Sequence, residues 1–331
     1  MQSRASFSHY QLPDKAPNVA LTEDDHKILL EVYRHDVIDA KTIYRLLSHR
    51  SEDKVRRRLN VLRKARYLER LSQIEQIHVK GGGSLPMAYT IGNHGMRFIQ
   101  DEHGFPPKKK RLRERASRLS VSYVMHSLEQ SRFLVLMRQS VEKRNDVHFL
   151  YPEDFYELFA KDILKRPTLP YSLRAKVNWH GYREEQGTNP DGMFVLYFPM
   201  QPLDKQRRCL FVEIDRSSET INPSDRKLKS IKFWEKSSLL RKFVVYAYAF
   251  RREVHKQEFG LPTFQVLTVT TNPKRVKEMQ AMYRERLAIP PHDVNPNRFL
   301  FIDWKSLNAH GNDLITAPIE NAVGETKSLL A

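Results

Sequence analysis

The sequence predicts a mixed α/β protein (α+β overall) in two domains, on three observations. The 331 residues suit two domains, and 40% hydrophobic with 10% aromatic side chains is enough to build ordinary cores. The first hundred residues read as helices followed by a glycine-tipped hairpin. The later part interleaves helices with short apolar runs, the pattern of a central mixed sheet.

The elements follow in order. Residues 1–20 are a polar arm without periodicity. "LTEDDHKILLEVYRH" begins a helix, with Thr22 as N-cap, acids in the first turn, and Ile28, Leu29 and Val32 at helical spacing. "DAKTIYRLLSH" is a second, shorter helix. "SEDKVRRRLNVLRKARYLERL" is a third, placing Val55, Leu59 and Leu62 on one face. Two strand-like pieces, "YLERLSQIEQIHV" and "PMAYTIG", flank "KGGGS", and "NHGMRFIQDE" closes the module as a helix.

Lys and Arg number 56 against 39 acids, a net charge of +17. Such a balance points to a polyanionic partner, nucleic acid before anionic membrane, because no basic amphipathic helix with a bulky apolar face stands out. No apolar run reaches membrane-spanning length and no signal peptide is evident, so the expected location is cytoplasmic. The single cysteine, Cys209, excludes an intramolecular disulfide, and no zinc spacing or P-loop occurs.

Three helices and then a glycine-tipped hairpin is the order of a winged helix-turn-helix, which residues 21–104 resemble, above all in "VRRRLNVLRKARYLERL" and "AYTIGNHGMRFI". The resemblance implies binding of double-stranded DNA, with the third helix in the major groove and the wing on backbone or minor groove. Lys54, Arg56, Arg57, Arg58, Lys64 and Arg66 are then candidate DNA contacts, with His78 and Lys80 at the wing. The competing reading is a merely solvated basic face, or a protein-protein module.

Residues 105–118 form a basic linker. Pro106 and Pro107 break the preceding helix, and residues 108–118 carry seven Lys or Arg against one Glu. Lys108, Lys109, Lys110, Arg111 and Arg113 are candidate phosphate contacts. A soluble linker is the plainer alternative.

The second domain is expected over residues 119–305, and residues 306–331 form a tail with no readable signal. "SYVMHSLEQSRFLVLMRQSVEK" is a long helix, "HFLYPEDFYELFAKDIL" includes a helical piece, and "AKVNWHGYREEQGTNP" is irregular or hairpin-like. Then come two strands, "DGMFVLY" and "CLFVEID". One long helix, "SSLLRKFVVYAYAFRREVHKQEFG", leads to the strand "FQVLTVTT" and a last helix over 273–287.

Both strands carry carboxylates, and a buried carboxylate costs several kcal/mol unless paired, hydrogen-bonded or bound to a cation. Strand alternation projects Glu213 and Asp215 from one side, and pairing of the two strands brings Asp191 near them. Converging carboxylates suit Mg²⁺ or Mn²⁺. Buried structural pairing with Arg216 or Lys242, and a turn-capping role for Asp191, are the alternatives.

"PD" followed by "E-x-D" on the next strand resembles the PD-(D/E)xK nuclease superfamily, the restriction-endonuclease-like fold. The chain resembles more closely the replication-relaxation family of plasmid and mobile-element proteins, in which a winged helix precedes such a domain. The matching segments are "VMHSLEQSRFLVL", "NPDGMFVL", "FVEIDRSSET", "SSLLRKFVVYAYAF" and "FGLPTFQVLTVTT". The resemblance implies a DNA nickase or endonuclease with Asp191 and Glu213 as ligands of Mg or Mn. Asp215 occupies the usual lysine position and is a further candidate ligand.

Lysine migration within the superfamily makes Lys242 the candidate catalytic lysine, with Tyr246 one turn later. His126, Glu129 and Arg216 are accessory candidates. Other mobile-element proteins are expected partners, and a non-catalytic DNA-binding regulator or accessory factor on an inactive nuclease fold is the alternative function.

Overall fold

A computed structural model of the chain describes residues 12–71, 87–106, 120–165, 171–228, 230–289, 292–311 and 313–330. The chain divides into two compact units, Met1–Val135 and Leu136–Ala331. Among the described residues no helix is long and apolar enough to cross a membrane.

In the first unit, Thr22 and Asp25 form a reciprocal capping box that starts α1 (Glu23–His35). The Asp25 carboxylate accepts from the Thr22 backbone N–H at 2.7 Å. Asp39 ends β1 (Ile38–Asp39) and caps α2 (Ala40–Leu46) by accepting from the Thr42 N–H at 2.6 Å. α3 (Glu52–Lys64) follows, then β2 (Leu68–Arg70), β3 (Ala88–Ile91) and α4 (Asn93–His103), which ends at Gly104 in the left-handed region.

The three strands form an antiparallel sheet in the order β1-β3-β2. Ile28, Leu29, Val32, Val55, Leu59 and Leu62 meet Ile99 in one core. Helices followed by a small antiparallel sheet fit a winged helix. The strand partner expected around "IEQIHV", with His78 and Lys80, lies outside the described residues, as do the linker positions Lys108, Lys109, Lys110, Arg111 and Arg113.

Two glycines in this unit, Gly92 and Gly95, are required by close approach. A Cβ on Gly92 would lie 2.4 Å from the Arg66 carbonyl oxygen, so the turn into α4 leaves no room for a side chain.

The helix α5 (Val121–Val141) crosses the boundary of the two units. The second unit is built on a seven-stranded mixed sheet in the order β12-β11-β10-β9-β8-β7-β4. Its strands are β4 (His148–Leu150), β7 (Gly192–Tyr197), β8 (Arg207–Ile214), β9 (Phe264–Thr270), β10 (Phe299–Asp303), β11 (Ile319–Asn321) and β12 (Thr326–Lys327). β8, β9 and β10 run parallel, while β7 is antiparallel to β8.

The region expected to be irregular or hairpin-like is a hairpin, β5 (Leu173–Lys176) against β6 (Glu185–Thr188). His180 and Gly181 take positive φ between the bridged Trp179 and Tyr182. Two other elements depart from expectation. β11 and β12 lie beyond residue 305, so part of the expected tail extends the sheet.

The expected long helix after residue 237 is two helices, α6 (Leu239–Arg251) and a short one at Val254–Phe259, broken at Glu253 with φ 57°. The break lets the His255 ring stack on Phe250, with centroids 5.2 Å apart. α7 (Pro273–Arg286) follows β9. Phe243, Val244, Phe211 and Phe264 are among the residues of the main core, which packs α6 on the sheet.

Asp25 is fully buried, caps α1 and receives the Arg58 guanidinium, so one side chain carries two duties. Replacing it should cost about 2–4 kcal/mol by loss of the cap and of the ion pair. Urea unfolding of Asp25→Ala, followed by far-UV circular dichroism, reads that loss directly.

Candidate functional site

Three strand ends define the site. β8 and β9 are parallel and β7 runs the other way, so the carboxyl end of β8 lies beside the start of β7. Gly192 faces Val212, and the Asp191 N–H donates to the Val212 carbonyl at 2.9 Å. Open α/β sheets commonly place functional groups at the carboxyl ends of parallel strands.

Asp191 is half-buried and its carboxylate accepts from the Ile214 backbone N–H at 2.7 Å. That bond turns the side chain across the end of β8, toward Glu213. The Glu213 carboxylate is 1% exposed and meets α6 from below. Ser238 caps α6 by accepting from the Arg241 N–H, which sets the rotation of its first turn. Lys242 then donates to Glu213 Oε2 at 2.8 Å, and Tyr246 donates from its hydroxyl to Oε1 at 2.5 Å. The i,i+4 spacing puts both donors on one helix face.

Glu219 completes the cluster, its carboxylate 3.3 Å from the Lys242 ammonium and accepting from the Ser237 hydroxyl at 2.7 Å. Burial pushes the Glu213 carboxyl up to about 7, against the pull of Lys242 and with the Asp191 charge adding to the rise. Burial alone would lower the Lys242 ammonium. The charges of Glu213, Asp191 and Glu219 outweigh it and hold its pKa above the usual lysine range. Lys242 is therefore a fixed cation at neutral pH.

Asp215 does not join this group. It lies one residue beyond the end of β8, and the Arg275 guanidinium clasps it at 2.6 and 2.9 Å from the first turn of α7. The Thr270 hydroxyl and the Ser217 N–H also donate to it. Arg275 in turn donates to the Glu219 carbonyl, which ties the Asp215 clamp to the loop bearing Glu219. Regular alternation, which predicts Glu213 and Asp215 as one set of ligands, fails where the strand ends. Arg216, the next residue, is half-buried.

The remaining predicted residues divide similarly. His126 and Glu129 are half-buried on α5 in the first unit, whereas the carboxylates belong to the second. On α3, Lys54, Arg56 and Arg57 are exposed and Lys64 is half-buried. Arg56 makes an exposed pair with Asp53 at 2.7 Å. Arg58 is half-buried, pairing with the buried Asp25 and donating to the Ala20 carbonyl. Arg66 is exposed, at φ 61°, and donates to the Asp14 carbonyl at 3.0 Å.

Glu219 and Arg275 were not singled out in the sequence. A signal existed for Arg275: a helix that follows the parallel strand β9 starts at the end of the sheet where Asp215 leaves it. For Glu219 there was none, because its position depends on the loop between β8 and α6.

The resemblance implies a divalent cation, and the donors fit it in part. Asp191 and Glu213 offer hard oxygens, and their mutual repulsion persists with Lys242 in place. Asp191, Glu213 and Glu219 around one ammonium leave the cluster two negative charges in excess when all are ionised. Asp215, clamped by Arg275, does not fit as a ligand. Among the described residues no three His, Cys, Asp or Glu side chains form a group able to hold a metal ion. Water or phosphate oxygens would complete the shell, as is usual for Mg²⁺.

The raised Glu213 pKa fixes a pH dependence. The folded state binds this proton up to about pH 7, the unfolded state only to about 4.5. The stability contribution of protonation is full below 4.5 and is lost as pH rises through 7. Thermal unfolding of the wild type and Glu213→Gln should therefore diverge between pH 4.5 and 7.5, the wild type losing ground as pH rises.

A family model described as replication-relaxation matches residues 29–258, which covers both the winged-helix-like module and the Asp191–Glu213–Lys242 cluster. No curated protein and no solved structure matches the chain. With more than half of its length matched, the chain belongs to the replication-relaxation family.

Proposed function

We propose that the protein binds double-stranded DNA during replication or mobilisation of a plasmid or other mobile element, and nicks it at the Asp191–Glu213–Lys242 site with Mg²⁺ or Mn²⁺. Family membership supports the setting. Lys54, Arg56 and Arg57, exposed on the third helix of the first unit, support DNA contact. The observation that carries the nicking step is that Lys242 reaches Glu213 from α6, beside Asp191, although Asp215 stands at the usual lysine position.

Asp191 and Glu213 would hold the cation. When bound, it supplies a Lewis acid for the phosphate and lowers the pKa of attacking water. Lys242 stays an ammonium, so it stabilises charge on a phosphate oxygen, while the water's hydroxide would add to phosphorus as the bond to the sugar oxygen breaks and its proton would pass through solvent to that departing oxygen. Tyr246, with its pKa raised well above the usual tyrosine value by burial and by Glu213, keeps its proton and orients that carboxylate. Ile214 N–H holds Asp191 in place.

A second reading rests on one specific observation. Both Glu213 oxygens are already engaged, so the Lys242 ammonium can serve as a permanent cation in an inactive DNA-binding scaffold. The two readings separate on supercoiled plasmid. Nicking predicts open circles with Mg²⁺ or Mn²⁺ and none with chelator, and a fall of about 10²-fold or more in Asp191→Ala, Glu213→Gln and Lys242→Met. An inactive scaffold leaves the plasmid supercoiled under every condition.

DNA contact has its own measurement. Removing Lys54 and Arg57 together should weaken binding about equally across sequences. It should also reduce the slope of log K against log salt by roughly 1.8, two phosphate contacts at ~0.9 each. Fluorescence anisotropy on a duplex from 50 to 300 mM salt gives that slope, and an unchanged slope removes α3 from the DNA surface.

A further inference from the structure

The opposite end of β8 carries the reverse charge. A cleft of about 660 Å³ opens where β8, β9 and β10 begin, floored by Cys209 and Leu300 and walled by the segment after β12. Among the described residues five cations line it, Lys205, Arg207, Arg208, Arg298 and Lys327, against one carboxylate, Asp204. They come from three separated parts of the chain, so no single basic run accounts for them. Most of the lining lies after residue 258, beyond the family match, or in the expected tail.

Two of the cations are built into the wall. Arg208 donates to the Leu329 carbonyl at 2.6 Å and lies over the Phe198 ring. Arg298 sits 3.5 Å above the Phe250 ring and donates to the Phe264 carbonyl at 3.1 Å, while its Nε is buried with no hydrogen-bond partner among the described residues. Burial pushes both guanidinium pKa values down, the direction expected of cations held out of water. Arg207 and Lys205 stand exposed at the mouth, and Lys327 is half-buried beside Glu325 at 3.0 Å.

Such a cleft is the size of a small-molecule site and far larger than a bare phosphate needs. Clustered guanidiniums are suited to phosphate oxygens. The amide side chains of Gln201 and Asn295, and the side-chain oxygen of Gln265, whose Nε2 donates to the Asn297 carbonyl at 2.7 Å, offer hydrogen bonds that a base would use.

We infer that this cleft binds a nucleoside phosphate one or two nucleotides in size, at a site separate from the Asp191–Glu213–Lys242 cluster. Five residues of extended strand part Arg208 from Glu213, about 17 Å, so one phosphodiester cannot touch both. The ligand is either a free nucleotide or the 5′-phosphorylated end of a strand, which share the same chemistry. This inference does not depend on the nicking reading.

Calorimetric titration of the full chain with ATP, with the 5′-phosphorylated dinucleotide pTpT and with tripolyphosphate tests it. Saturable one-site binding of ATP or pTpT, at least tenfold tighter than tripolyphosphate, is the expected result, and the tighter of the two identifies the source. The double variant Arg207→Gln/Lys327→Gln, with both changes at the mouth rather than in the wall, should weaken binding about tenfold or more. Its circular dichroism spectrum should be unchanged, and Glu213→Gln should bind as the wild type does. The inference is overturned if tripolyphosphate binds as tightly as the nucleotides, if no probe saturates, or if the folded double variant binds undiminished.

Discussion

The Lys242–Glu213 pair is the interaction on which the second unit turns. A carboxylate 1% exposed in the floor of a sheet would cost several kcal/mol if left alone. The sheet tolerates it because α6 delivers an ammonium and a phenol to its two oxygens. That requirement fixes more than one contact. It sets the rotation of α6 about its axis, through the Ser238 cap, and so selects which face of the helix meets Phe211 and Phe264 in the core. Packing and charge therefore specify the same helix orientation, and a change that broke the pair would leave a buried charge inside the apolar layer.

Next to it, Asp215 shows how one strand can serve two separate electrostatic systems. Glu213 is the last-but-one residue of β8 and faces α6, while Asp215 lies just past the strand and is gripped by α7. The Arg275 clamp is bidentate and reinforced by Thr270, the geometry in which guanidinium and carboxylate match best. Arg275 also holds the Glu219 carbonyl, and the Glu219 side chain faces Lys242. The structural clamp thus positions the loop that supplies the third carboxylate around the ammonium. Asp215 influences the candidate site by holding Glu219, without being a ligand in it.

Much of this was legible in the sequence, for reasons that differ by element. Thr22, Asp39 and the 3.6-residue spacing of Ile28, Leu29 and Val32 mark local structure, because capping and amphipathic periodicity are properties of neighbouring residues. The β7–β8 pairing was readable from two adjacent apolar runs. Lys242 stood in the sequence only as one of two possible partners, beside Arg216, and as the candidate lysine through family resemblance, since nothing local says that a helix residue will meet a strand residue 29 positions earlier. Arg58 looked like its neighbours Arg56 and Arg57. What sets it apart is a buried acid 33 residues away, which no count of arginines reveals. The break at Glu253 was hidden too, because the sequence across it contains neither Gly nor Pro and the left-handed residue is held by packing around His255.

The direction of the strands explains where the charges of the second unit collect. Because β8, β9 and β10 run parallel, their carboxyl ends lie together and their amino ends lie together. The first edge gathers Asp191, Glu213 and Asp215, and helices returning from the strands bring Lys242 and Arg275 to meet them. The second edge gathers Arg207, Arg208 and Arg298, with Lys327 added by the C-terminal strand. At the acidic edge each carboxylate has a donor from the chain, yet Asp191, Glu213 and Glu219 share one ammonium and stay two negative charges in excess when all are ionised. At the basic edge the described lining holds one carboxylate for five cations, of which Lys327 also pairs with Glu325 just outside it, and the buried Arg298 Nε has no hydrogen-bond partner among the described residues. Water and solvent ions can answer that charge, and so can a phosphorylated ligand, which would also use the amide side chains around the cleft.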